Sequence, residues 1–441
     1  MKKPDQKPES FCLAPWVHTY CSPVTERRLC CASREQARSF TQYIDATHGE
    51  QDYAPQTLAE HWNSPNVREV RRKMMAGEVP PECQVCDSKM LNTDVYRDYF
   101  WHLFKHKYDE AWASTDETGY TTMEPVSWDY RFSNLCNFKC RMCGDMLSSS
   151  WETEQKVHNM VDLTKPKNRW MQPEVREKIT QFHDTTVEQE FATAVEQHRV
   201  EEVYWVGGEP LMYEQHWRYM KRIIELGDGN KVYARYNTNL SRVDYKGVNL
   251  YRDILAHLRD WQICASLDAT GSIGEYIRTG LQYDQWLLNY QQGCSIQRHP
   301  RQMRIDFTLT LPGLFDLANI VALSKSTGTG LLSKVVFAFG PDIVMSPLAL
   351  PRSVLEPIVH DALRMIEQTG DGNQRSLTDV LQNLLTRPTF AEQWPDSHAL
   401  AAVAGKKRIL QLESIRTQPI TMREILSTNN AALEWWDSIN V

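Results

Sequence analysis

At 441 residues and 51.2 kDa the chain exceeds what one small core organises, so two or three domains are expected. Its 41% hydrophobic and 24% charged residues are a globular composition, and a net charge of −7 offers no basic footprint for nucleic acid. The polar start "MKKPDQKPESF" lacks an apolar signal core, and no apolar run reaches the roughly 18 residues that span a bilayer. A cytoplasmic chain with reduced thiols and no membrane partner is therefore expected, and its eleven cysteines point to metal rather than disulfides.

The first stretch, 1–118, is rich in Cys, Pro and Trp and reads as short strands and turns around a metal. One helix is expected at 65–77, with Pro65 at its start and Gly77 at its end. "FCLAPWVHTYCSPVTERRLCCAS" (11–33) and "VPPECQVCDSK" (79–89) set a Cys–Cys pair against a distant Cys-x-x-Cys pair. That is metal-site arithmetic, for which zinc is the plain reading. "DETGYTTMEP" (116–125) reads as a linker.

Over 119–345 strand and helix signals alternate. Strands are expected at 126–132, 203–206, 231–236, 262–267, 304–311 and 334–339, with helices such as 213–227 and 251–260 between them. Six strands with helical crossovers make a parallel α/β unit, as an incomplete barrel or an open sheet. Over 346–441 strand signals fade into a helical extension, with amphipathic helices at 353–370 and 376–388. The paired tryptophans of "ALEWWDSINV" are expected to pack against the body.

Between the first two of those strands, "NLCNFKCRMCGD" (134–145) crowds Cys136, Cys140 and Cys143 into eight residues at a strand end, where ligand sites of α/β units collect. Thiolates select zinc, copper(I) or iron–sulfur clusters. A closed zinc site needs a fourth ligand, for which Asp145 is the nearby candidate, whereas three cysteines on a 4Fe–4S cluster leave one iron open.

Together with "VYWVGGEPLM", "YNTNL" (236–240), "ASLDATG" (265–271) and "YIRTG" (276–280), in that order and each at or after a strand end, this stretch resembles the radical S-adenosylmethionine superfamily. The resemblance covers roughly 120–345 and implies a partial (β/α)6 TIM-like barrel. It also implies a 4Fe–4S cluster on Cys136, Cys140 and Cys143, with S-adenosylmethionine chelating the open iron. Reductive cleavage would then give a 5′-deoxyadenosyl radical that takes hydrogen from substrate. Gly207, Gly208, Glu209 and Pro210 would face the methionine ammonium. Asn237, Asn239 and Ser266 would hydrogen-bond ribose or carboxylate, and Arg278 would pair with the carboxylate. The plain alternatives are a strand-to-helix turn for the Gly-Gly-Glu-Pro element, a turn cap for Asn239 and a surface charge for Arg278. Met142 stands where the family often has an aromatic residue.

Residues 10–90 resemble the SPASM/twitch module, which implies one auxiliary 4Fe–4S cluster on Cys12, Cys30, Cys83 and Cys86, with Cys31 able to replace Cys30. The module here precedes the barrel, where it normally follows it. Cys21, Cys264 and Cys294 have no assigned role, Cys264 reading as a small buried hydrophobe. The implied partners are a low-potential electron donor and a substrate, either a peptide or protein side chain or a small alcohol. Two rival readings are a zinc-bearing binding protein without catalysis and a family member that binds but no longer reacts.

Overall fold

The computed structural model describes residues 6–34, 54–87, 96–335 and 340–441, so the last four residues of the strand expected at 334–339 lie outside it. The protein is a mixed α/β chain of parallel strands and helices. Its strands in chain order are β1 (His18–Cys21), β2 (Arg27–Arg28), β3 (Ser127–Tyr130), β4 (Lys139–Cys140), β5 (Glu202–Trp205), β6 (Tyr233–Thr238), β7 (Asp244–Tyr245), β8 (Val248–Asn249), β9 (Asp260–Ser266), β10 (Arg278–Thr279), β11 (Met303–Leu309) and β12 (Gly330–Val335). Among the described residues no helix is long and apolar enough to cross a membrane.

The chain divides into two compact units. The first comprises 1–136, 145–236 and 252–261, and the second 137–144, 237–251 and 262–441.

In the first unit β1, β3, β5 and β6 run parallel, with β2 antiparallel to β1. All four residues of β3 and of β5 are buried, as parallel strands covered on both faces require. Trp128 and Tyr130 reach Phe191 of the following helical stretch, at ring separations of 5.5 and 6.4 Å. The helix expected at 65–77 spans Pro65–Met75, capped by the Ser64 side chain on the Val67 N–H, and Gly77 beyond it takes a φ of +77°. Its Val67, Val70, Met74 and Met75 join Phe11, Trp16, Phe100, Phe104 and Trp112 in one apolar cluster.

In the second unit β9, β11 and β12 are parallel, Asp306 lying opposite Ser266. Helices Arg352–Thr369, Arg375–Thr386 and Pro395–Ile415 follow, and near the end Trp436 is fully buried. Lys406 Nζ donates to the Trp436 and Ile439 carbonyls at 2.7 and 2.9 Å, which fixes the C-terminal turn.

The helix expected over 251–260 is instead a π turn (Leu250–Ile254) followed by a 3₁₀ turn (Leu255–His257). Ile254 leaves helical geometry at φ −120°, and the Arg259 N–H bonds to the Gly229 carbonyl. A Cβ on Gly229 would lie 2.3 Å from the His257 carbonyl oxygen, so this close approach sets the path that helical spacing alone does not reveal.

Beneath the first unit's sheet lies a buried polar chain. His18 Nδ1 is 2.6 Å from Ser127 Oγ, the Ser127 hydroxyl donates to Glu202, and Tyr99 Oη donates to the other Glu202 oxygen at 2.7 Å. Burial pushes the Glu202 carboxyl up to about 7, against the pull of those two hydrogen bonds. A carboxyl raised in the folded state stabilises the fold below its unfolded value, and that contribution is lost as pH rises through 4.5 to about 7. Urea unfolding of wild type and Glu202→Gln across that window tests this. The variant should gain on wild type by roughly 2–3 kcal/mol from the acid to the neutral end.

Candidate metal and cofactor sites

The Gly-Gly-Glu-Pro element leaves β5 in the first unit and folds directly onto the loop that leads from β3 to Cys136. Gly207 has a φ of +127°, and a Cβ there would stand 3.1 Å from the Arg131 Cβ. At Gly208 a Cβ would lie 2.3 Å from the Leu135 carbonyl oxygen. Only a residue without a side chain lets the two backbones meet. The Glu209 N–H donates to that same carbonyl at 2.7 Å. The Gly208 N–H donates to Tyr213 Oη at 2.7 Å, and Tyr213 Oη donates to the Ser133 carbonyl at 2.5 Å.

The fully buried Glu209 carboxylate accepts from the Leu211 N–H at 3.1 Å and caps a 3₁₀ turn that begins at Pro210. Cys136 is fixed through its backbone. Its N–H donates to Ser149 Oγ at 3.2 Å, and its carbonyl accepts from Ser150 Oγ at 2.7 Å. Asn134 is held by Glu152, Arg176 and the Asp145 carbonyl at 2.8, 2.7 and 2.9 Å.

Cys140 and Cys143 belong to the second unit. Cys140 lies in β4, opposite Arg278 in the antiparallel pair with β10, and the Cys143 N–H closes a turn on the Cys140 carbonyl at 3.0 Å. The C-terminal extension holds this loop: Arg416 Nη1 donates to the Lys139 carbonyl at 3.0 Å, and Arg141 donates to Gln418. The same Arg141 donates to the Tyr276 carbonyl at 2.9 Å and lies 4.0 Å over the Tyr276 ring.

Asn239 Nδ2 donates to Asn137 Oδ1 at 2.9 Å and its Oδ1 accepts from the Ser241 N–H, so it combines a turn cap with a tie to the cysteine loop. Asn237 donates to Asp306 at 2.9 Å, a carboxylate that Lys334 also meets at 3.1 Å. Ser266 ends β9 opposite Asp306. Arg278 is buried and forms an ion pair with Asp268 at 2.7 Å.

In the N-terminal region Cys12, Cys30, Cys83 and Cys86 line one pocket with Leu29, Met74 and others of the apolar cluster. Burial pushes the Cys12 thiol up to about 12, with the Cys86 sulfur adding to the rise and its hydrogen bond from the Ala14 N–H opposing it. Four soft donors around an apolar pocket suit a thiolate-ligated cluster. Cys31 is absent from that lining, though it meets Tyr96, which lines the pocket, and the Asp129 and Arg131 charges lie nearby. The Cys30 backbone is clasped from both sides by Ser33 Oγ, at 3.2 Å to the N–H and 2.7 Å to the carbonyl. Cys21 and Cys264 are fully buried, and Cys294 is partly so. Among the described residues no group of three or more His, Cys, Asp or Glu side chains is disposed to hold a single metal ion.

The linear sequence left three participants unseen. Asp268 lies inside "ASLDATG" and Tyr213 directly follows "VYWVGGEPLM", neither with an assigned role, and Arg416 lies far along the chain in a segment read only as helical.

No family model matches the chain, and no curated protein matches it. Among solved structures it is similar to TYW1 with a lysine-pyruvate adduct bound, at 16% identity and a TM-score of 0.30, over 66% of this chain and 90% of that one. It is also similar to SuiB of Streptococcus suis, at 15% identity and 0.34, over 81% of this chain and 75% of that one. SuiB bound to its precursor peptide SuiA matches at 13% and 0.34, over 90% and 85%. Likeness this slight carries no argument about activity.

The close approach at Gly208 yields a direct expectation. Gly208→Ala should displace the 133–136 loop, and Tyr213→Phe should leave the Gly208 N–H and the Ser133 carbonyl without their shared partner. Each should cost roughly 1–3 kcal/mol in denaturant unfolding.

Proposed function

We propose that the chain is a radical S-adenosylmethionine enzyme with one catalytic and one auxiliary 4Fe–4S cluster, acting on a peptide or protein side chain. The observation that carries this reading is the docking of the Gly-Gly-Glu-Pro backbone onto the loop that delivers Cys136, which ties the two motifs of the resemblance together physically. Cys136, Cys140 and Cys143 would hold the catalytic cluster, and Cys12, Cys30, Cys83 and Cys86 the auxiliary one. A reduced cluster with an open iron supplies the electron that splits S-adenosylmethionine and so starts hydrogen abstraction from substrate.

The protein's own contributions are positional. Gly207 and Gly208 let the end of β5 close onto Arg131 and the 134–135 backbone, and this would fix the segment that the cofactor's methionine group approaches. Asn137 and Asn239 stiffen the cysteine loop of the second unit, and Asn237 and Ser266, which flank Asp306, would be the groups to hydrogen-bond the cofactor's ribose or carboxylate. Pro210 starts the turn that buries Glu209. With four protein thiolates the auxiliary cluster would lack an open iron, which favours passing electrons to or from substrate over binding it. A low-potential donor would complete the cycle, and the functional segments we propose are 1–118 for the auxiliary module, whose β1 pairs with β3, 119–345 for the barrel and 346–441 for the helical extension.

Anaerobic reconstitution tests this. Roughly eight irons per chain are expected, with slow release of 5′-deoxyadenosine from S-adenosylmethionine under reduction. Cys140→Ala should abolish that release. Cys30→Ala should halve the iron, whereas Cys31→Ala should retain it. Zinc in place of iron, with the cofactor left intact, would mean that the cysteines are structural and the reading is wrong.

A further inference from the structure

Arg278 is buried and turned toward two groups of its own unit. Its Nε lies 2.7 Å from Asp268 Oδ2, its Nη2 donates to Asp268 Oδ1 at 2.9 Å, and its Nη1 lies 4.0 Å from Cys140 Sγ. The guanidinium thus hydrogen-bonds Asp268 through Nη2, meets the same carboxylate through Nε by charge proximity without hydrogen-bond geometry, and turns Nη1 toward Cys140. The geometry is held from several sides: Arg278 pairs with Cys140 across the β4–β10 ladder, and Asp268 Oδ1 also accepts from the Thr308 N–H of β11 at 2.9 Å. Just beyond, a Cβ on Gly280 would lie 2.9 Å from the Asn137 carbonyl oxygen, so the β10 turn presses against the start of the cysteine loop. Asp268 is fully buried, and Arg278 and Cys140 are 9% and 8% exposed. Charges act strongly at such sites because little water screens them.

Resting on the reading above, we propose that Arg278 and Asp268 form a charge pair that sets the reduction potential of the cluster held by Cys140. A cation beside a ligating sulfur favours the reduced cluster, which carries one more negative charge, and the carboxylate behind it tempers that effect. Arg278 is then a positioning and tuning residue acting through Cys140, not a ligand for the cofactor's carboxylate.

The two halves of the pair must act with opposite sign. Removing the cation in Arg278→Gln should shift the potential down, and removing the anion in Asp268→Asn should shift it up. Arg278→Lys, which keeps the charge, should stay near wild type. In a potentiometric titration of the anaerobically reconstituted full chain, followed by electron paramagnetic resonance, the reduced-to-oxidised ratio at the wild-type midpoint should change by about tenfold or more in each direction. Should Arg278→Gln fail to fold, the Lys and Asn variants carry the same comparison. S-adenosylmethionine affinity, measured alongside, should change little. Shifts of the same sign in both variants, or none, would overturn the inference, as would an unmoved potential with S-adenosylmethionine binding lost in Arg278→Gln. A wild-type chain that takes up no iron would overturn the cluster reading and this inference with it.

Discussion

The backbone of Gly208 meets the backbone of residues 134 and 135 at a distance that admits no Cβ, and the end of the first unit that carries Cys136 is organised around that contact. It brings the Glu209 N–H to the Leu135 carbonyl and lets one tyrosine hydroxyl serve both loops, accepting from Gly208 and donating to Ser133. Because β3 and β5 are buried on both faces, their ends have little freedom to adjust. The position of Cys136 thus follows from packed strands through a few backbone hydrogen bonds, and the loop that carries it gains rigidity that its own sequence does not provide.

The cysteine sites differ in how they are supported. The N-terminal four sit against an apolar cluster, where burial keeps the Cys12 thiol protonated far above neutral pH. A cluster proposed there would have to displace that proton. The Cys140–Cys143 loop is supported by polar contacts instead: the C-terminal segment through Arg416 and Gln418, the β10 turn through Arg278, and the Asn137–Asn239 pair. This gives the helical extension a concrete task in the second unit, to hold the Cys140–Cys143 loop in place.

Much of the strand pattern was legible because short, fully buried parallel strands show as continuous β-branched and aromatic runs, as "VSWDYRF" and "RIDFTLTL" do. The 251–260 segment misled because Ile254, Leu255 and Leu258 have helical spacing, while its actual path is set by a glycine some twenty residues upstream. β1 was invisible as a parallel neighbour of β3, since four residues between prolines carry too little pattern to announce a partner more than a hundred residues away. Cys30 and Cys31 are alike in sequence, and only the fold shows that Cys30 lines the pocket while Cys31 meets Tyr96 at its edge. The Asp268–Arg278 pair joins two strand-end motifs across an intervening helix, a partnership that no linear spacing encodes.

The central claim is that three cysteines leave one iron open to S-adenosylmethionine while four others close a second cluster. Electron paramagnetic resonance of the reduced protein, recorded with and without S-adenosylmethionine, tests it most directly. The account predicts two cluster signals, of which one changes on adding the cofactor and is lost in Cys140→Ala, while the other is indifferent to it. A protein in which neither signal responds, or in which both do, would contradict the assignment of an open and a closed site.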